Sequence, residues 1–276
     1  MNLADQYIEH GWVKVEQVVP AGKTAELRRI CDNVTNQFLN LNPETGKPGD
    51  PDGHVMRHLE NPCYFADARQ DRLTLLETVA MPEIIDIITG ILGEAPLFRT
   101  TSFWYNPVNQ HLNGNWHRDA QFIYPDEEEE KAVVLGAQPQ RGMQLMLALV
   151  DTEDNEYVPG SHSRWDTEKE YEIRKGSEMA NCTRDDMPGA RRFRQAPGDI
   201  LTFNAYGLHR GRYHADKLRR TMMFSYTIHD AAREDTFTDT PWFLEPGFLD
   251  GLSDPARAFY QTYVDRFREF WLRQSD

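Results

Sequence analysis

Three side chains in this sequence, His117, Asp119 and His209, are of types that hold a metal ion. His117 and Asp119 lie two residues apart in the run NWHRDA, 115–120. On an extended strand such positions share a face, so an imidazole and a carboxylate would point the same way. His209 follows a second apolar run, GDILTFNAYGLHRG, 92 residues further on. Two histidines and one carboxylate on one face of an octahedron leave three positions open, the donor set of non-haem Fe(II) oxygenases. Beyond His209, Arg219 and Arg220 open another apolar strand. A guanidinium there can pair bidentately with a carboxylate near the metal. A cosubstrate that chelates iron at one end and carries a carboxylate at the other suits both features. 2-Oxoglutarate has both ends.

The remaining candidates follow from parity. Gln144, Met146 and Ala148 form one face of a strand, and Gln144 is expected to hydrogen-bond the cosubstrate. Gln121 shares the parity of His117 and Asp119, while Trp116 should point into the core. Gln121, Phe103 and Tyr105 are the candidates for lining a substrate space. His54 and His58 are four apart but lack the glutamate of a zinc-protease helix. His111 and His214 read as surface or supporting residues, and His162, in the turn sequence YVPGSHS, as structural.

Positioning these groups takes a strand-rich scaffold. Through residue 95 the pattern is mainly helical, with a short strand at 12–18 and a loop at 40–52 rich in Asn, Pro, Gly and Asp. Helices are expected over 27–38, after a Pro-Ala-Gly turn at 20–22, at 66–79 and at 82–92, where Pro82 suits a first turn and Gly93 a C-terminus. From 96 to 230 short apolar runs separated by turns predict strands at 97–105, 114–122, 143–150, 199–204 and 220–228. Residues 231–276 read as a C-terminal helical extension, with a helix over 255–272 capped by Ser253. Its Phe259, Tyr263, Phe267 and Phe270 share a face that either docks on the core or forms a homodimer contact. The fold class is α+β, a single domain with a β-sandwich or barrel core. The acidic run DEEEE, 126–130, sits in an aperiodic stretch, 120–142, that reads as a solvated insertion or lid.

The motifs WHRDAQF (116–122), LALVDTEDNEYVPGSHS (147–163), PGDILTFNAYGLHRG (197–211) and RRTMMFSY (219–226), in this order, resemble the phytanoyl-CoA dioxygenase family of Fe(II)/2-oxoglutarate oxygenases. The resemblance runs from about residue 11 to 228. It implies a double-stranded β-helix, the jelly roll or cupin-like fold, flanked by helices. It implies His117, Asp119 and His209 as iron ligands, and an arginine after His209 for the far carboxylate of 2-oxoglutarate. The strand-start match favours Arg219 and the residue count favours Arg220. Arg210 stands where many members have glycine directly after the last histidine, and the stretch before VPGSH is shorter than usual. The implied reaction uses Fe(II), 2-oxoglutarate and O2, and releases succinate and CO2 while a small molecule is oxidised. A carboxylate at position 119, where related halogenases have a small residue, favours oxygen insertion over halogenation.

Composition narrows the class of partner. The 276 residues carry a formal charge of −14, unfavourable for nucleic acid or an anionic membrane surface. That charge also argues mildly against a polyanionic acyl-CoA and for a small zwitterionic or cationic substrate, amino-acid-like or a natural-product intermediate. No apolar run approaches membrane-spanning length and no signal peptide is visible. Three scattered cysteines, Cys31, Cys63 and Cys182, suit a reduced, cytoplasmic setting. A non-catalytic jelly-roll binding or regulatory protein, a cupin-type isomerase or hydrolase, and a helical interaction protein remain the alternatives.

Overall fold

A computed structural model of the chain describes residues 2–42, 55–65, 68–106, 111–136 and 141–274. Its strands are β1 (Trp12–Val15), β2 (Val55–Arg57), β3 (Leu97–Tyr105), β4 (Leu112–Asn113), β5 (Gly142–Ala148), β6 (Thr152–Tyr157), β7 (Arg191–Gln195), β8 (Ile200–Phe203), β9 (His209–Tyr213) and β10 (Arg220–Thr227). They form a six-stranded sheet, β1-β8-β5-β10-β3-β2, and a four-stranded sheet, β4-β9-β6-β7, with antiparallel pairing throughout. This is the expected jelly roll. The stretch before residue 96 adds edge strands β1 and β2 to the large sheet, so it does more than supply helices.

The α-helices are α1 (Leu3–His10), α2 (Ala21–Leu41), α3 (Arg69–Val79), α4 (Pro82–Leu92), α5 (Ala120–Ile123), α6 (Glu127–Gly136), α7 (Glu168–Arg174) and α8 (Asp254–Gln274). Helix α4 starts on Pro82 and stops at Gly93, whose φ of 79° is the left-handed turn that glycine permits. Gly11 ends α1 in the same way, and a side chain there would also run into Tyr157 and His162. His162 is structural, its Nε2–H donating to the Ile8 carbonyl at 3.1 Å. His54 and most of the 40–52 loop lie outside the described residues. None of the described helices is long and apolar enough to cross a membrane.

Two cores follow from strand alternation. Between the sheets lie Trp12, Met146, Tyr157, Phe193, Leu201, Phe203 and Met223, with Trp104 against them. The outer face of the large sheet is covered by α2, α3, α4 and α8 in one continuous cluster that includes Phe98, Leu145, Met222 and Phe224. On α8, Tyr263 and Phe267 are fully buried, and Phe98 packs edge-on to Tyr263 at 4.9 Å. The aromatic face therefore docks on its own chain and is not free for a homodimer. Ser253 does not cap α8 through its hydroxyl, which donates to Glu77 at 2.8 Å.

The stretch 120–142 also differs from expectation. It forms α5 and α6, and the acidic run is partly internal. Glu130 is fully buried, 2.7 Å from Arg174 and 2.5 Å from Lys175. Tyr171 donates to Glu127 at 2.6 Å. The described part of this segment is tied to α7 and Lys175 by ion pairs. Removing one partner of a buried pair typically costs about 3 kcal/mol or more, because the other charge is left behind. Glu130→Ala should therefore lower stability by about 3 kcal/mol, read as the shift in a urea unfolding curve, with Arg174 keeping its bond to Asp166.

Candidate metal centre

Residues 117 and 209 meet through a reciprocal backbone pair. The His117 N–H donates to the His209 carbonyl at 3.1 Å, and the His209 N–H returns the bond at 3.0 Å. Beside them the Gly114 N–H donates to the Gly211 carbonyl at 2.9 Å, and a side chain on Gly114 would collide with that oxygen. This ladder extends β9 toward the 114–117 segment, which is extended but not the strand expected at 114–122. Asp119 lies in the right-handed helical region, φ −60° and ψ −25°, at the head of α5. Its N–H is tied to the Ala205 carbonyl at 2.9 Å. A turn, and not strand parity, brings its carboxylate back to His117.

The three side chains converge, with their ligating atoms within 4.8 Å of one another. Asp119 Oδ1 stands 3.5 Å from His117 Nε2 and 3.6 Å from His209 Nε2. The rings are 4.3 Å apart, centroid to centroid. Each Nδ1–H is spent on a backbone carbonyl, Asn115 at 2.6 Å for His117 and Gly207 at 2.9 Å for His209. These bonds fix the tautomer and leave both Nε2 lone pairs facing Asp119, as metal-binding imidazoles require. The other carboxylate oxygen, Asp119 Oδ2, accepts from Gln144 Nε2 at 2.7 Å. Gln144 thus orients the carboxylate, where the sequence suggested a contact with the cosubstrate.

Burial pushes the His209 pKa down to about 4, reinforced by His117, so the imidazole is a neutral donor near pH 7. Burial opposes ionisation of Asp119. The neighbouring His117 and His209 imidazoles and the Arg99 guanidinium outweigh it and hold the carboxyl below its usual range. The set is one carboxylate oxygen and two imidazole nitrogens, and it suits a divalent transition metal.

Strand parity separates the two arginines. Arg220 points outward and pairs with Asp32 on α2. Arg219 points between the sheets, 1% exposed, with its guanidinium 5.7 Å from the Trp104 ring and 5.0 Å from the Tyr213 ring. Its Nη1 donates to the Arg212 carbonyl at 3.2 Å, while its Nε lies 3.7 Å from Asp154 Oδ2 and has no hydrogen bond. Three other buried arginines are paired closely, Arg118 with Asp166 at 2.7 Å, Arg174 with Asp166 and Glu130 at 2.7 Å, and Arg210 with Glu156 at 2.5 Å, while Arg72 donates to the Phe248 carbonyl at 3.2 Å and stacks on the Phe248 ring.

The remaining sequence candidates lie elsewhere. Phe103 and Tyr105 face the helical core on the outer side of the large sheet. Their neighbour Trp104 is the residue that turns inward. Gln121 Oε1 accepts from Arg174 at 3.0 Å and belongs to the ion network behind the site. Trp116 is fully buried, as expected, with its indole N–H on the Arg184 carbonyl at 3.0 Å.

Sequence reading missed the groups around the open side. A β-bulge in β3 leaves Arg99 unpaired between Phe98 and Thr100, the kind of irregularity that re-aims a side chain. Arg99 bonds Asp235 at 2.6 Å, and its charge is felt at Asp119 and Tyr206. The Arg99 and Arg57 guanidiniums each lie 5.4 Å from the Phe237 ring centroid. Arg233 bonds the Tyr124 hydroxyl, and the exposed Phe122 stands 5.5 Å from the His117 ring. A bulge depends on the partner strand, so no local signal marks Arg99.

Two outcomes test this geometry. Gln144→Leu should keep the fold and weaken Fe(II) binding by about 10- to 100-fold, the usual loss when a ligand-orienting bond is removed. Because the folded pKa of His209 lies below its unfolded value, the metal-free chain should lose stability as pH falls from about 6.5 toward 4. His209→Gln should flatten that part of a stability–pH curve.

Comparison with known proteins agrees with this architecture. The family profile described as phytanoyl-CoA dioxygenase (PhyH) matches residues 7–221. No curated protein matches in sequence. Among solved structures, AviO1 from Streptomyces viridochromogenes Tue57 superposes with a TM-score of 0.60 at 17% identity, over 84% of this chain and 96% of that one. EctD from S. alaskensis, crystallised with 2-oxoglutarate and 5-hydroxyectoine, also gives 0.60 at 17% identity, over 92% and 85%. SnoN, a non-haem α-ketoglutarate-dependent epimerase from nogalamycin biosynthesis, gives 0.52 at 19%, over 82% and 79%. At these identities the likeness is one of fold.

Proposed function

This chain belongs to the phytanoyl-CoA dioxygenase family and is a non-haem Fe(II)- and 2-oxoglutarate-dependent oxygenase, and from that premise we propose how its own residues run the reaction and on what. Fe(II) is held by His117 Nε2, His209 Nε2 and a carboxylate oxygen of Asp119. Arg219 takes the far carboxylate of 2-oxoglutarate. The bound iron supplies O2 activation, coupled to decarboxylation of 2-oxoglutarate to succinate and CO2. The protein's own work is to fix three ligands, hold the cosubstrate by its far end and keep the substrate at the open side.

The observation that carries this reading is the incomplete pairing of Arg219. It is a buried guanidinium, on the same inward face as the triad, whose nearest carboxylate is 3.7 Å away. A buried cation is costly unless paired, and an incoming carboxylate supplies the missing partner.

The substrate is a small polar molecule, hydroxylated or demethylated, and zwitterionic: an amino-acid-like compound or a natural-product intermediate. Support comes from Arg57 and Arg99 flanking Phe237, and from Tyr124 with Arg233. These suit a carboxylate-bearing compound better than a purely cationic one. EctD with its bound 5-hydroxyectoine and SnoN of nogalamycin biosynthesis lie on the same fold and are compatible with this class. We take the chain to act as one catalytic domain in the cytoplasm, in keeping with three free thiols.

Anaerobic addition of Fe(II) and 2-oxoglutarate should produce a visible metal-to-ligand charge-transfer band, lost in His117→Ala. Arg219→Ala should weaken 2-oxoglutarate binding by roughly 30-fold or more, the cost of truncating a buried charge pair. Arg220→Ala should leave that affinity within about twofold, since its partner Asp32 lies on the outer face. Equal losses in the two arginine variants would reject the assignment. A succinate-release screen over zwitterionic amino acids, cyclic osmolytes, acyl-CoA thioesters and natural-product intermediates identifies the substrate class, and fastest turnover of an acyl-CoA would reject the zwitterion reading.

A further inference from the structure

Among the described residues, one other set of side chains brings metal-ligating atoms as close together as the triad does: His111, His214 and Asp216, within 4.8 Å of one another. Their meeting follows from the ladder. Strand β4 pairs with β9 in the register Leu112 to Tyr213 and Asn113 to Arg212. One step further, the register sets His111 opposite His214, where facing side chains lie about 5 Å apart at Cβ. Asp216 follows two residues later in the turn. The two rings are 5.9 Å apart at 65°, and His111 Nδ1 is 3.8 Å from Asp216 Oδ1.

We propose that His111, His214 and Asp216 form a second divalent-metal site at the open end of the β4–β9 ladder. Two imidazoles and one carboxylate, with water completing the shell, favour a borderline cation such as Zn2+ over Mg2+ or Ca2+. Ligands on one Zn2+ at about 2.0–2.1 Å sit about 3.3 Å from one another, so the present spacing needs only small side-chain rotations. His111 and Asp216 are free to make them, with side-chain exposures of 63% and 69%.

The surroundings favour an ion. Asp154 Oδ1 stands 3.8 Å from His214 Nε2 and adds negative charge beside the imidazole. Asp154 is itself held by the Thr152 hydroxyl at 2.7 Å. The nearby cations are partly engaged elsewhere: Arg192 donates to the Glu153 carbonyl at 2.6 Å, and Lys217 lies 3.8 Å from the Glu153 carboxylate. Arg192 Nη2 also approaches His214 Nε2, at 3.4 Å, and can swing away because its own bonds are to Glu153.

The test is stoichiometry, independent of turnover. Metal-free full-length chain is titrated with Zn2+ by calorimetry, and bound zinc is counted by elemental analysis after dialysis. The expected result is about two Zn2+ per chain, falling to about one in a His111→Ala, Asp216→Ala double variant. Both positions are exposed, so that variant should fold normally. A His117→Ala, His209→Ala variant should also retain about one Zn2+. A wild-type chain that takes up only one Zn2+, or a His111/Asp216 variant that still binds two, overturns the proposal.

Discussion

The reciprocal bond pair between His117 and His209 is the constraint on which the site depends. It closes a loop of 92 residues with two hydrogen bonds. The entropic cost of that closure grows only logarithmically with length, so β5 through β8 can be built inside the loop without loosening it. Once the two backbones are in register, the imidazoles lie side by side, and each Nδ1 finds a carbonyl two residues back in its own segment. Ring orientation is therefore a consequence of backbone geometry and needs no separate packing residue on either side. Phe203, 5.1 Å from the His209 ring, then shields it from behind.

The residue between the two ligands of the 115–120 segment anchors that segment. Arg118 points away from the metal side and is fully buried. It donates to Asp166, to the Ser161 and Tyr206 carbonyls and to the Arg164 carbonyl. Asp166 in turn binds Arg174, which binds Glu130. This chain joins the ligand segment to α6 and α7 through charges that would be costly to separate in the interior. Burial lowers the Arg118 pKa, with Asp166 opposing that effect. The pairing is what allows the cation to stay inside. Alternation sets His117 on the opposite side from Trp116 and Arg118, and the turn at Asp119 does the rest.

Residue types carried the site further than they carried its geometry. His117, Asp119 and His209 were legible because their chemistry is unusual in an apolar context and because the surrounding motifs resemble a known family. The route by which Asp119 joins them was not legible, since an Asp-initiated turn and a continued strand read alike in WHRDAQF. Phe103 and Tyr105 were assigned to the wrong face for a physical reason. Strand β3 is buried on both sides, so LFRTTSFWY shows no polar alternation to reveal its parity. Arg219 against Arg220 is the converse case. Both are arginine, and only the partners each meets, Asp32 outside or the Trp104 and Tyr213 rings inside, tell them apart.

Net charge and the charge beside the site are separate quantities, as the placement of the acids shows. The interior pairs contribute nothing to the −14, because each sets acids against bases. Glu130 neutralises Arg174 and Lys175, Asp166 bridges Arg118 and Arg174, and Glu156 with Asp185 takes up Arg210 and Arg212. Near the triad the balance is different: buried Arg219 has its nearest carboxylate, Asp154, at 3.7 Å, farther than the partners of Arg118, Arg174 and Arg210. A buried charge acts through a low-dielectric interior and is screened less than a dispersed surface charge. An acidic protein can therefore hold a locally cationic interior.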